Sequence, residues 1–544
     1  MRKPILLHKN YSLSQSGYQL KLPLNLETII PEDDSVRLLS QFVEGMDLTD
    51  LYSTYERIRE NSVSPRTLLK IVLYSYMNND YSSRSMELNC KRDINFMYLL
   101  EGMPVPDHAT FARFRSIHFA PCSKRILAEM SNMLYQAGEL SGHDIFIDGT
   151  KIEAYANKYT FVWKKAVTKN QVKLSIKIAE FVAECETLYG VKIVYHNTIQ
   201  IRHLKKLRKK LYAIKDAENI AFVHGIGKRK SQIQKSIECL EEYIARHKDY
   251  TNKIHICGNR NSFSKTDHDA TFMRMKEDAM GNGQLKPAYN LQHGIDSEYV
   301  TWITIGPQPT DTTTLIPFLK EAENYLDFKY TNIVADAGYE SEENYLFIEA
   351  NQQISFIKPS NYEISKTRKY QQDIGRIDNM TYFENDDYYV CQNDKRLQME
   401  YVKHSKSKTG YVSEKSIYKS EDCTSCPYKG ECIKGNNCKI PLEDRTRILQ
   451  VAKIFNQKRK ENLERIISDE GIILRINRSI QAEGSFGSFG DMKQDMMFRR
   501  YLSRGSSNVL AESTLMAMAR NINKLHNKIQ AGKTGQHLFK AKIA

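Results

Sequence analysis

The sequence predicts an α/β protein: a mixed central sheet flanked by helices, interrupted by insertions and preceded by an all-α region. Three observations predict it. "DIFIDGTKIEA" alternates apolar and polar residues, and "NIVADAG" is a short apolar run ending on an acid and a glycine, so both read as strands. Residues 35 to 136, and the chain from about 446 onward, read as strings of helices. Residues 160 to 255, which separate the first strand from the later ones, are long, charged and helical.

The elements follow in order. "SVRLLSQFVEGMDLTDLYSTYE" has apolar residues at helical spacing. "SPRTLLKIVLYSYMNND" opens with Ser64 as a cap and Pro65 at the first helical position. "PVPDHATFARFRSIHF" repeats that grammar, with Asp107 as cap and Phe111, Phe114 and Ile117 on one face. Arg113 and Arg115 then point elsewhere, which fits a helix that reads a major groove; an ordinary helical bundle is the other reading. "TKNQVKLSIKIAEFVAECETLY", "NTIQIRHLKKLRKKLYAIKDAE" and "RKSQIQKSIECLEEYIARHKDY" form the helical insertion, and Lys and Arg crowd the middle one. Strands resume at "GQLKPAYNLQHGID" and "YVTWITIGPQPTD", and "TTLIPFLKEAENYL" is a helix. Residues 360 to 445 read as irregular and polar. No internal repeat appears beyond the doubled Ser-Phe-Gly of "EGSFGSFGDMKQ", residues 483 to 494.

Composition narrows the class. At 544 residues the chain has room for three or four domains. Hydrophobic residues make up 41%, enough for packed cores, which excludes a disordered chain. No run of about 18 apolar residues occurs, so no membrane span is expected. "MRKPILLHKNYSLSQSGYQL" begins basic but has no long apolar core and no small-residue cleavage site. A cytoplasmic, nucleoid-associated protein is the expectation. A net charge of +14 and a pI near 9.0 suit a polyanion, most often nucleic acid, although a merely basic protein has the same charge.

Of ten cysteines, Cys90, Cys122, Cys185, Cys239, Cys257 and Cys391 are scattered and read as reduced and mostly buried. Cys423, Cys426, Cys432 and Cys438 cluster in "DCTSCPYKGECIKGNNCK". A tight first pair followed by loop-sized gaps suits structural Zn²⁺, with Cys391 as reserve ligand; four reduced thiols in a loop are the alternative. Four cysteines would close the coordination sphere, which argues against a catalytic zinc.

Three carboxylates stand out by context. Asp148 ends the apolar run "IFI" before Gly149, and Asp336 ends "NIVA" before Ala337-Gly338. Acids at the carboxyl ends of strands, beside small residues, sit where a ligand can approach. Glu483 lies in the C-terminal helical region. Two aspartates on neighbouring strands and a glutamate on a packed helix can hold two divalent ions, Mg²⁺ or Mn²⁺, that act on a phosphodiester. Each acid alone is more often a turn or cap residue.

The combination carries a family resemblance. "IDGTKIEAYANKYTFVWKKA" resembles the first catalytic strand of DDE transposases from bacterial insertion sequences, and "VADAGYESEENY" their second-aspartate strand. "RSIQAEGSFG", "DMKQDMMFRRYLSRG" and "NVLAESTLMAMARNINKLH" resemble their glutamate helix and C-terminal tail, and "PDHATFARFR" their leading helical domain. Nearly the whole chain takes part, and the likeness is nearest to the insertion-sequence eleven-eighty-two family. It implies an RNase H-like catalytic domain, divalent-metal-dependent DNA cleavage and strand transfer, binding of the element's terminal inverted repeats, and a homo-oligomer in the synaptic complex. It implies Asp148, Asp336 and Glu483 as metal ligands. Lys493, Arg499, Arg500 and Arg504 match the basic residues after the glutamate, and Lys151, Arg113 and Arg115 join them as expected DNA contacts. The expected organisation is a helical DNA-binding domain (1–140), a catalytic domain (141–160, 256–360 and 446–530), a basic helical insertion (161–255), a cysteine-containing insertion (361–445) and a tail (531–544). A catalytically decayed transposase that only binds DNA is the alternative.

One departure stands in the site itself. The family pattern, Glu-Gly-x-Phe-Gly-x-x-Lys, puts lysine seven residues after glutamate, nearly on the same helical face. Lys493 follows Glu483 by ten residues, which turns it roughly 80° off that face of a straight helix. One Ser-Phe-Gly copy reads as an insertion. Either it bulges out, which the intact flanks favour, or Glu483 is displaced from the aspartates.

Overall fold

The protein is described by a computed structural model covering residues 26–57, 62–225, 227–275, 283–435, 440–484, 492 and 495–539. Its first strand, β1 (Asp144–Glu153), is followed by β2 (Phe161–Trp163), β3 (Ser262–Ser264) and β4 (Thr271–Arg274). The long β5 (Leu285–Asp296), β6 (Tyr299–Gly306), β7 (Asn332–Ala335) and β8 (Ile354–Ile357) come next. Six of these build a mixed sheet in the order β4-β5-β1-β7-β8, with β6 also on β5. β1 runs antiparallel to β5 and parallel to β7, and β7 parallel to β8. A central strand covered on both faces needs apolar residues in succession rather than alternation. Ile145, Phe146 and Ile147 supply that run, and all three are buried.

The N-terminal helices share the core of this sheet. The helix Ser506–Gln530 is buried along most of its length and packs on helices Pro65–Met77 and Ala120–Gln136 and on β6. One continuous apolar core therefore runs from Ile30 to Ile522 and does not divide at residue 140. The expected caps are present: Ser64 Oγ accepts from Thr67 N at 3.0 Å and Asp107 Oδ1 from Thr110 N at 2.7 Å. Ile117 is a correction, being 55% exposed. The chain winds as a π-helix over Phe114–Phe119, and the wider turn brings Phe119 onto the buried face in its place.

The insertion forms three helices, Lys164–Tyr189, Ile201–Ala217 and Gln232–Cys257, around a core of their own that includes Leu174, Ile178, Leu207 and Leu240. They extend from the two-stranded pair β2–β3, where Val162, Val167, Cys257 and Phe263 pack together at the base. Residues 360 to 445 also need correction. They contain β9 (Thr381–Phe383), β10 (Tyr388–Val390), β11 (Arg396–Lys406) and β12 (Val412–Ser420), which join β13 (Ile448–Val451) in a five-stranded antiparallel sheet. β11 is exposed along nearly its whole length, so its sequence carries no apolar alternation to betray a strand.

Candidate active site

Parallel pairing of β1 with β7 sets Ile147 opposite Ala335, so the next residues in each strand, Asp148 and Asp336, come side by side. The two acids meet one cation. Nη2 of Arg478 lies 3.9 Å from Asp148 Oδ1 and 3.8 Å from Asp336 Oδ2. Arg478 ends the helix Asp469–Arg478, which Ser468 caps and which packs against β7. The Asp148 side chain is 15% exposed and that of Asp336 37%, so the pair opens to solvent on the Asp336 side. Backbone N–H groups orient both carboxylates: Gly149 N donates to Asp148 at 2.9 Å and Gly338 N to Asp336 at 2.8 Å.

A further carboxylate, Asp311, lies beside Gly149 and Gly338, the small residues that follow the two aspartates. Asn290 Nδ2 and Gln292 Nε2, both from β5, donate to its Oδ1 at 2.7 and 2.9 Å. A Cβ on Gly149 would lie 2.6 Å from both Asp311 Oδ1 and Gln292 Nε2. The small residue after Asp148 therefore makes room for Asp311, not for an incoming ligand. Below them Tyr339 is fully buried and donates its hydroxyl to Gln292. Burial, then the Asp311, Asp148 and Asp336 carboxylates, holds its phenol well above the ordinary value, so it stays a donor. Neither Asp311 nor Arg478 was singled out from sequence. Arg478 stands at the head of the quoted "RSIQAEGSFG", while Asp311 follows β6 in a loop with no distinguishing pattern.

Glu483 closes a π-helical turn, Ser479–Glu483, that packs on β1 and β5. Gln481 anchors this turn, accepting from Glu298 N at 2.9 Å and donating to His537 O at 3.0 Å. The Glu483 side chain, the whole of the doubled triplet and Lys493 lie outside the described residues. Among the described residues, no three His, Cys, Asp or Glu side chains gather closely enough to hold a metal ion. The donor set at Asp148 and Asp336 nevertheless suits a hard divalent cation: two carboxylates already face one positive group, the guanidinium of Arg478.

The expected DNA contacts separate into groups. Arg115 turns inward, donating to Tyr76 Oη at 3.2 Å, Tyr81 O at 2.9 Å and Ser83 Oγ at 2.6 Å, so it is not the protruding groove reader expected of it. Arg113 is exposed. Arg500 and Arg504 come to the end of β1, where both stack over Tyr155, and Arg504 Nε donates to Tyr155 O at 3.0 Å. Lys151 donates to Arg274 O at 3.2 Å, and Arg499 is exposed. In the cysteine loop, burial pushes the Cys432 thiol up, Arg447 lowers it, and the Cys391, Cys423 and Cys426 thiols raise it further. Cys391 and Cys432 pack against one apolar cluster, but the cysteines do not assemble a zinc cage among the described residues, and Cys438 lies outside them.

Comparison with known families adds two matches. Residues 390–526 match the Transposase DDE domain, and residues 24–116 match the Transposase domain (DUF772). No curated protein and no solved structure matches the chain. The DDE match covers the cysteine loop, the Glu483 turn and most of the helix Ser506–Gln530, whereas Asp148 and Asp336 lie before it. A DDE domain implies an RNase H-like fold, divalent metal ions and cutting of DNA. The chain thus matches a transposase DDE domain behind a second transposase domain, and the two matches support a transposase function in general terms.

Proposed function

We propose that this transposase binds the terminal inverted repeats of an insertion sequence of the eleven-eighty-two type and catalyses metal-dependent cleavage and strand transfer of its ends. The observation that carries this reading is the convergence of Asp148 and Asp336 on one cation, Arg478. Asp148, Asp336 and Glu483 would hold Mg²⁺ or Mn²⁺, which when bound lowers the pKa of an attacking hydroxyl and neutralises the leaving oxygen of a phosphodiester. The chain's own groups prepare the place. The Gly149 and Gly338 N–H groups fix the aspartate rotamers. Arg478 balances their charge. Asp311, clamped by Asn290 and Gln292, backs the strand that carries Asp148.

The test is metal-dependent nicking of element-end DNA. Asp148→Ala and Asp336→Ala should each reduce nicking to background while leaving end binding nearly intact, because metal and phosphate are held by different groups. Full activity in either variant would refute the assignment. The decayed, binding-only reading draws on the stretched Glu483–Lys493 spacing. A wild-type protein that binds ends but never nicks them would establish it. Structural zinc is a separate proposal, resting on the spacing of Cys423, Cys426, Cys432 and Cys438, with Cys391 in reserve. Carefully reduced protein should contain about one zinc per chain, and metal analysis finding none would remove the idea.

A further inference from the structure

The middle helix of the insertion, Ile201–Ala217, holds seven Lys and Arg residues and a single acid, Asp216. Four of its cations fall on one stripe. Arg202, Lys205, Lys206 and Lys209 have the spacing i, i+3, i+4 and i+7, which lines one helical face. All four are exposed, while Leu204, Leu207 and Leu211 on the opposite face are fully buried in the arm's core. Arg208, off the stripe, lies 4.0 Å from Glu241, and Lys210 Nζ donates to Lys192 O at 2.9 Å. Among the described residues the four stripe cations have no ion-pair or hydrogen-bond partner.

The neighbouring helix shows what a merely solvated face of this arm is like. On Gln232–Cys257, Arg246 pairs with Glu242 at 3.2 Å and Lys253 with Asp249 at 2.5 Å, each one turn apart. Such mixed pairing relieves like-charge repulsion between neighbouring turns. The stripe has no acid to do the same, so its cations repel one another until an external polyanion joins them. Burial, followed by Arg202 and Lys206, lowers the proton affinity of His203, which reports the positive field around the stripe. The stripe is about 10 Å long at 1.5 Å per residue. One strand of duplex DNA presents about three phosphates over that length.

We propose that the arm is a second DNA-binding surface, on which Arg202, Lys205, Lys206 and Lys209 grip the phosphate backbone of duplex DNA without reading its sequence. The arm's first helix starts at Lys164, eleven residues after β1, the strand that carries Asp148, and its base packs on β2 and β3, so DNA held on it is tethered to the cleavage site. This inference rests on the transposase reading, which supplies the duplex.

The test uses the full chain with R202Q, K205Q, K206Q and K209Q combined. The four positions are exposed, so circular dichroism should be unchanged. Binding to a random-sequence duplex and to an element-end duplex is measured across a salt series. Each lost phosphate contact removes about 0.9 from the slope of log affinity against log salt, so the slope should shallow by roughly three to four for both duplexes. Affinity at low salt should fall at least about tenfold. An unchanged slope in the variant, with the wild type binding well, overturns the arm proposal alone. A wild type that binds neither duplex sinks the transposase reading with it. A variant whose subunit association changes while its salt slope does not identifies the stripe as a contact between copies of the chain, and that too overturns the proposal. Loss confined to the element-end duplex would contradict backbone gripping.

Discussion

The N-terminal helices and the arm are both helical and both rich in cations, yet they place those cations oppositely. In the N-terminal helices Arg66 donates to the carbonyls of Val43 and Glu44 at 2.5 and 2.7 Å. Lys70 is 1% exposed and meets Glu44 at 2.6 Å and Ser40 Oγ at 3.0 Å. Arg115 donates to three groups of its own chain. The arm buries leucines and leaves its stripe of cations in water. The difference follows from what each helix packs against. The N-terminal helices pack on the shared core and on the helix Ser506–Gln530, so Arg66, Lys70 and Arg115 meet protein while cations such as Arg113 stay exposed. The arm's helices pack mainly on one another, and one side of each remains free. A basic helix therefore says little about nucleic acid until its neighbours are known.

The sharpest way to break this comparison is to attack the arm's separate core. Leu207→Ala should cost about 2–5 kcal/mol, as for other fully buried leucines. The loss should be local: hydrogen exchange should quicken in residues 164–257 while the sheet keeps its protection. Uniform loss of protection across the whole chain would show that the arm and the body are one cooperative unit.

Asp311→Asn is expected to act next most strongly. Asp311 lies against Gly149, the residue after Asp148, and is held by Asn290 and Gln292, so its loss should loosen the strand that carries Asp148 and weaken metal binding by roughly tenfold, the low end of what outer-shell changes cost. Mn²⁺ titration of the free protein should show that loss, with the salt slope of DNA binding untouched. Unaltered Mn²⁺ affinity would reduce Asp311 to a packing group.

Arg115→Ala should behave as a stability mutation, not a binding one. Hydrogen bonds to a charged group contribute about 1.5–3 kcal/mol, and the Tyr76, Tyr81 and Ser83 acceptors would lose theirs. Thermal unfolding should come at lower temperature with the salt slope unchanged. A shallower slope with normal stability would restore the groove-reading role. The smallest effect is expected at Arg113, which is exposed and, among the described residues, donates only to Thr110 Oγ1, at 3.4 Å. Arg113→Gln should shift stability by less than about 0.5 kcal/mol. Any large loss of end specificity would single it out as the base contact of this region.

Local signals were read well wherever local chemistry decides. Ser64 and Asp107 cap their helices because a side-chain oxygen must satisfy free N–H groups at a helix start, whatever surrounds it. The three arm helices follow from a periodicity that their own packing satisfies. The signals failed where a neighbour decides. Ile117 left its face because of one widened turn, and the sheet β9–β13 was hidden by exposed, polar strands. At the site, Asp148 and Asp336 were legible as acids at strand ends, and the sheet brought them together. Asp311 was invisible because its place depends on Asn290 and Gln292 of another strand and on the missing Cβ of Gly149.

By itself the sequence determined the kind of protein: alternating and apolar runs for a mixed sheet, caps for the helices, and two acids set in strand-end contexts. These are properties of a few consecutive residues, and a few consecutive residues carry them. Only the tertiary structure decided which charges meet. Arg478 reaches both aspartates because its helix packs on β7, Arg115 is turned inward by groups more than thirty residues away, and the stripe on Ile201–Ala217 stays open because nothing in the fold covers it among the described residues. Electrostatic partners are set by distance through space, and for long flexible side chains that distance is fixed only when the surrounding elements have packed.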